Sequence, residues 1–505
     1  MRRSLSGWML FLFLATATFA FAQSSTTSLR GVVKDPSGAL VPGAKVTLVD
    51  KSNDKTLKSV TSGAGLYQFS QIPPARYLIT VNASGFGEES KTAELLVSQP
   101  ATIDFTLSLK GDTVTVDVSG TAQTLNLTDA TIGNSVSNAT IESLPMDGRD
   151  PVSLLALQPG VLFLGENLGG SSGDSRQGAV SGSRSDQGNV TLDGVDDNDQ
   201  INGYAFNGVL RSTLDSTEEF RVTTSNGNAD AGRSSGAQVS LVTKSGTNKF
   251  HGSLYEYNRP SNTVANDWFI KEQQLSSSLA NRPTKYIQNT FGGSVGGPIL
   301  KDRLFFFFNY EGQRLATNQT VSATTPSAAF KSGQIGYVDS TGATQMLTSG
   351  QIATLDAACT LCTTPGVNAA MEAYYAPVPA ATVLAGGDGI NNGSLNFSSP
   401  APATLNTSIF KVDYDLNAKN HFFARGNLQK DTAAGAQNLP GQPASNWHED
   451  NTKGLAAGHT FNPTSSIVND LRYAYIRQSY TDSGIGQGDY VTVRFLTQPT
   501  SHSRS

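Results

Sequence analysis

Apolar and polar residues alternate over short stretches along most of this chain. In residues 102–109, Ile103, Phe105, Leu107 and Leu109 fall on one face, with Asp104, Thr106 and Ser108 opposite. A period of two predicts half-buried β-strands. Residues 28–33, 45–50, 55–61, 66–69 and 76–83 read the same way, punctuated by turn signals such as Pro36-Ser37-Gly38 and Gly63-Ala64-Gly65. Strands of this length and spacing predict a small β-sandwich. A helix signal stands at 150–158: Asp150 as N-cap, Pro151 at the first position, Leu154, Leu155 and Leu157 on the apolar side, and Pro159-Gly160 as the stop.

Beyond residue 250 the alternation resumes in seven candidate strands, 250–258, 286–296, 304–311, 408–415, 421–428, 455–461 and 468–476. Phe410, Val412 and Tyr414 oppose Lys411 and Asp413; Leu471, Tyr473 and Tyr475 oppose Asp470 and Arg472. The connections alternate in length: 259–285 is long, 297–303 short, 312–407 very long, 416–420 short, 429–454 long and 462–467 short. A water-soluble sandwich has no reason for this rhythm. A transmembrane barrel does, because its periplasmic turns are short and its extracellular loops long. The aromatic run 305–308 with Tyr310 is expected at the membrane interface. Seven strands are odd, whereas single-chain bacterial barrels have even numbers, and plugged barrels reach about 22. The sheet is therefore expected to stay open, as the start of a barrel in a truncated or frameshifted product of a longer gene. Ser505 is also not the terminal aromatic that such barrels favour.

Composition adjusts this picture. Charged residues make up 15% of the 505, well under the average for soluble domains, and 50 are glycine, which suits strands and polar loops. Lys+Arg number 36 against 41 Asp+Glu. That balance excludes the basic stripe of a nucleic-acid binder. At the N-terminus, Arg2 and Arg3 precede the apolar run WMLFLFL, and Ala20-Phe21-Ala22 follows. This is a secretory signal peptide, residues 1–22, cleaved between Ala22 and Gln23. The two cysteines, Cys359 and Cys362, fall in the longest loop. No thioredoxin-like context surrounds them, and a local disulfide is expected.

Longer stretches carry family resemblances. GVVKDPSGALVPGAKVTL and TSGAGLYQFSQIPPARYLITVNASGF, within residues 23–109, resemble the carboxypeptidase regulatory-like (Cna-B/transthyretin-like) domain. That resemblance implies a non-catalytic sandwich, with sugar binding only by analogy to carbohydrate-binding-like folds. In the linker 110–119, Asp112, Thr113, Val114, Thr115 and Val116 resemble a TonB box, an extended segment that can add to a partner's sheet by β-augmentation. LPMDGRD, LQPGV, TLDGVDDND, EEFRV and GAQVSLVTKSGTNKFHGS follow in the order of Oar-like TonB-dependent transporters. The resemblance implies a plug over 120–247 and the first part of the barrel over 248–505. The fold class is thus mainly β: sandwich, α+β plug and incomplete antiparallel barrel.

The function implied is uptake of an unidentified extracellular ligand across the outer membrane. The plug would gate it and the TonB–ExbB–ExbD complex would energise it, with sandwich and plug on the periplasmic side and outer-membrane lipid around the barrel. The alternative is a surface binding or adhesion protein that uses the sandwich without transport. No enzyme is expected. Gly232-Arg233-Ser234-Ser235-Gly236 matches G-x-S-x-G but precedes a β-like run rather than a helix. The acidic cluster Asp193, Asp196, Asp197, Asn198 and Asp199 lacks EF-hand spacing, since position 201 is Ile, and reads as a solvated turn. No zinc-protease, P-loop or dinucleotide motif occurs, so no metal or cofactor is expected.

Overall fold

The computed structural model describes residues 26–484, apart from 98, 110–113, 117–129, 145, 147–148, 150, 163–178, 184–186, 200–207, 228–231, 233–235, 277, 279, 358–365, 418 and 465–466. The first unit is a two-sheet sandwich. One sheet orders β4 (Leu66–Ile72), β1 (Thr27–Lys34) and β7 (Ala101–Thr102), with β8 (Phe105–Thr106) also on β1. The other orders β3 (Thr56–Val60), β2 (Lys45–Asp50), β5 (Ala75–Asn82), β6 (Glu89–Leu95) and β9 (Val114–Val116). Alternate residues meet between the sheets: Leu29 and Val33, Val46 and Leu48, Tyr77, Ile79 and Val81, and Phe105 are all buried. The single strand expected over 102–109 is broken in two. The cause is local: the Asp104 carboxylate accepts from Val32 N–H at 2.8 Å, which kinks the chain between two short ladders on β1.

The second unit is a mixed sheet in the order β10 (Ile132–Ser137), β15 (Thr217–Ser225), β16 (Gln238–Thr243), β13 (Asn189–Leu192) and β14 (Val195–Asp196), beside the two-stranded pair β11 (Val161–Leu162) and β12 (Ala179–Val180). Its core holds Ile141, Leu154, Leu155, Leu192, Phe220, Val222, Val239 and Leu241. The helix expected at 150–158 forms a 3₁₀ helix, Pro151–Leu157, with Leu154 and Leu155 buried. β13 and β14 join through Asp193 and Gly194, both at positive φ (53° and 74°). Asp-Gly suits such a two-residue hairpin turn because both positions lie in the left-handed region.

The third unit is a single large antiparallel sheet. Its main path runs β17 (His251–Arg259), β18 (Tyr286–Leu300), β19 (Leu304–Pro326), β23 (Ala403–Asn417), β24 (Asn420–Gln429), β27 (Lys453–Thr464) and β28 (Ile467–Arg477). All seven expected strands are present. The connection expected over 312–407 is shorter than its sequence suggests, because β19 runs on for 23 residues and pairs with β22 (Asn392–Pro400). Between them, the loop carries the hairpin β20 (Ile335–Val338) and β21 (Thr344–Leu347) and short helices. β25 (Asp431–Ala434), β26 (Asn446–Asp450) and β29 (Tyr480–Gly484) extend the same end. Among the described residues β17 and β28 do not pair, so the sheet stays open.

Its two faces differ. Phe308, Phe410, Leu428, Leu455, Leu471, Tyr473 and Tyr475 point outward and are exposed. Asn309, Lys411, Arg425 and Asn427 point inward and are buried. The run 305–308 corrects the interfacial expectation: Phe305 and Phe307 are buried on the inner face, and only the alternate rings face out. Phe306 lies 6.2 Å from Phe250, and an outward row continues through Tyr414, Phe422 and His459, the last two stacked at 4.1 Å. No described helix is long and apolar enough to cross a membrane, which says nothing of strands.

Candidate functional site

The second unit sits against the inner face of the large sheet, and charged groups join them at several heights. Furthest from the short turns, Arg211 faces Asp431 with both guanidinium nitrogens, at 2.5 and 3.3 Å. Its backbone N–H donates to Gln429 Oε1 at 2.6 Å and its side chain to Thr407 at 3.1 Å. Such a fork geometry fixes orientation as well as charge. Nearby, Arg149 donates to Asp215 at 2.8 Å and lies 3.7 Å from Glu311. Tyr255 donates to the same Glu311 oxygen at 2.9 Å, and the Arg149 guanidinium packs over the Tyr257 ring at 4.2 Å. Thr213 donates to the fully buried Asn309 at 2.8 Å.

Closer to the short turns, the Asp193-Gly194 hairpin meets three basic residues of the sheet. Asp193 Oδ2 lies 2.9 Å from Arg425 Nε, and Oδ1 lies 3.6 Å from Lys411 Nζ. Thr243 donates to the same carboxylate through its N–H at 2.9 Å and its hydroxyl at 2.8 Å. Arg472 donates to the Asp193 carbonyl. Burial alone would raise this carboxyl, but Lys411, Arg425 and the Thr243 donors outweigh it and hold it below the usual range. Asp197 has the opposite fate. Burial pushes it up to about 8, and one oxygen has no hydrogen-bond partner among the described residues. A Cβ on Gly208 would sit 2.3 Å from that oxygen, so only glycine lets the chain pass.

The first unit covers the end with the short turns. Lys55 pairs with Asp415, which also bonds His421 Nδ1 at 3.0 Å. Asn248 donates to Asn53 O at 2.6 Å and to Asp302 at 2.7 Å. Two residues earlier, Gly246 passes under the sheet edge, where a Cβ would meet Phe306 O at 2.3 Å. Between the three units lies a cavity of about 540 Å³, lined among others by Lys55, Leu57, Asp413, His421, Phe423 and Arg472. A second link joins the first two units. Val97 N–H donates to both carboxylate oxygens of Glu219 at 2.8 Å. Glu219 is buried and its carboxyl is pushed up to about 8 by that burial.

Of the residues singled out from the sequence, Val114, Thr115 and Val116 are described. They do not stand free: they form β9, parallel to Glu89, Ser90 and Lys91 of β6. Asp112, Thr113, Cys359, Cys362, Ala22 and Gln23 lie outside the described residues, as do Arg233, Ser234 and Ser235. Asp193, Asp196, Asp197 and Asp199 are not gathered into one site, since Asp193 turns to the sheet and Asp196 bonds Asn198. Among the described residues no cluster of His, Cys, Asp and Glu could hold a metal ion. Sequence reading marked Lys411, Asp413 and Arg472 as inward-facing but missed Arg149, Arg211, Glu311 and Asp431. Each has opposite charges close by in sequence, such as Asp215 four residues after Arg211 and Arg314 three after Glu311, so nothing local marks its partner on another unit.

An open antiparallel sheet with an apolar outer face and a charged inner face, curved around a separately folded insert, is the wall of an outer-membrane barrel. Residues 242–502 match the outer membrane β-barrel domain family, and the chain belongs to it. That places the protein in the outer membrane. Residues 28–108 match the carboxypeptidase regulatory-like domain. The chain is 26% identical over 297 residues to the TonB-dependent transporter Oar of Myxococcus xanthus, covering 58% of this chain and 27% of that protein. It thus spans about a quarter of that relative's length. Among solved structures it is similar to the outer membrane transporter YddB from Escherichia coli (TM-score 0.42, 11% identity, 68% of this chain and 39% of that one). A second is the ferric-catecholate import receptor Fiu from E. coli K12 (TM-score 0.33, 13% identity, 70% and 50%).

Proposed function

We propose that this chain gates passage of a solute across the outer membrane, with the second unit as plug and the segment from Asp112 to Val116 as its contact with TonB of the TonB–ExbB–ExbD complex. The observation that carries the reading is the charged seat. Arg149, Asp193 and Arg211 of the insert are paired with Glu311, Arg425 and Asp431 of the wall. An insert held by several discrete charge-assisted hydrogen bonds is firm at rest and can be released in one movement, since their directional geometry is broken by a small displacement. The similarity to the TonB-dependent transporter Oar points the same way. The unidentified ligand arrives from outside, where the long loops lie.

Deletion of Asp112 to Val116 separates this reading from adhesion. Cells are screened on single iron and carbon sources for growth that depends on the gene. The deletion is expected to abolish that growth while the nutrient still binds to the cells. Unchanged growth would remove TonB from the account. We also propose that Cys359 and Cys362 form a disulfide within the longest loop. A membrane-impermeant maleimide should then label intact cells only after reductant is added; immediate labelling would show free thiols.

A further inference from the structure

The TonB-contact segment is a strand of the first unit, not a loose tether. Val114–Val116 pairs in parallel with Glu89–Lys91 and completes the five-stranded sheet of the sandwich. Strands on that sheet bury Val46, Leu48, Tyr77, Ile79 and Val81 in the unit's core. A pull on β9 therefore loads the whole sandwich through main-chain hydrogen bonds. An edge strand keeps one row of N–H and C=O groups for its sheet and offers the other to a newcomer. Among the described residues nothing pairs with β9 on its second side. A partner's strand can add there without peeling β9 away.

From the sandwich, the load has a short route onward. Val97 is fully buried, two residues past the end of β6, and its N–H is gripped by both oxygens of Glu219. Glu219 is on β15, the strand between β10 and β16 in the plug sheet. Arg221, two residues on, donates to Gln99 at 3.3 Å. The contacts of Asn53 and Lys55 with Asn248 and Asp415 tie the same sandwich to the wall. We infer that the sandwich is the force-bearing coupler between TonB and the plug, with β9 as its handle and the Val97–Glu219 contact as its grip on the plug. This inference rests on the transporter reading above and adds a mechanical role for the first unit.

The test uses the full chain in outer membranes, with Cys359 and Cys362 replaced by Ser. Ser90→Cys with Thr115→Cys places two thiols at register partners, and an oxidant should bond them. Capture of the periplasmic domain of TonB is expected to survive this cross-link. A separate reporter, Thr213→Cys, sits in the buried seat. A maleimide should label it in energised cells and not after a protonophore, with or without the cross-link. Glu219→Ala should leave TonB capture intact but drop reporter labelling to the protonophore level, and Glu219→Gln should restore it. Failure of the cross-link to form, or loss of TonB capture once it forms, overturns the inference. So does reporter labelling that persists in Glu219→Ala. If the uncross-linked chain itself captures no TonB, the transporter reading falls, and this inference with it.

Discussion

Replacing Asp193 by Ala is expected to cost about 3–5 kcal/mol, the usual loss when one partner of a buried pair is removed and its counter-charge is stranded. Arg425 is 1% exposed and Asp193 2% exposed, so neither charge can turn to water. Lys411 is also buried and donates to Thr243 O at 3.0 Å. The substitution also places Ala at a φ of 53°, where Asp is better tolerated. Asp193→Asn keeps the turn and one acceptor oxygen for Thr243 and should lose less. Adding Arg425→Met to Asp193→Ala should recover part of the loss, because an apolar pair strands one charge fewer. Thermal melts of the membrane-embedded chain, with limited proteolysis of the plug as second readout, measure all three. An Asp193→Ala chain that melts with the parent would show that the hairpin is not a charge anchor.

Stability of the same chain should fall as pH rises from about 4.5 to 8. Asp197 and Glu219 are both pushed up to about 8 by burial, from ordinary values of 3.8 and 4.5. In that window the folded chain keeps protons that the unfolded chain has released, so raising the pH favours unfolding. Each group contributes up to about 1.4 kcal/mol per pH unit before its folded value is passed. Above about pH 8 these two groups add nothing further to the slope. Asp197→Asn with Glu219→Gln mimics the protonated pair and should flatten the profile between those limits. A parent chain whose melting temperature does not fall across the window would mean that both groups are charged in the fold.

The wall was legible because its surroundings impose a strict period of two. β28 alternates exposed and half-buried residues along its whole length, and the sequence shows that as Leu471, Tyr473 and Tyr475 against Asp470 and Arg472. The outer half of β19 was not legible. Residues such as Gln313, Arg314, Asn318 and Gln319 carry no apolar alternation, because there the strand is no longer pressed between plug and lipid. β6 escaped for a related reason: Glu89 and Lys91 read as surface, and Glu89 is buried only by the neighbouring strands. The seat was half legible. Inward charges on wall strands are visible as the polar side of an alternation, but Arg149 with Glu311, or Arg211 with Asp431, meet only after the plug folds. Asp193 read only as part of an acidic cluster, and nothing local announced the Asp193-Gly194 hairpin or that its carboxylate would turn to the wall.

β19 spans 23 residues, while a membrane crossing takes about 10. At roughly 3.3 Å per residue and a tilt near 40°, the surplus raises its outer end about 30 Å above the lipid. The headgroup layer accounts for only about 6 Å of that height. The hairpin β20–β21 and its helices therefore ride on a mast, and under the proposed function a solute would first meet protein well out in the aqueous phase. Capture there would depend on diffusion in open water and on the sugars and polymers that crowd a cell surface, not on the chemistry of the bilayer. A solute seized at the masthead would still have to descend between the strands to reach the proposed plug. Reach and residence at the tip would then govern how often a molecule arrives, separately from how often the plug lets one through.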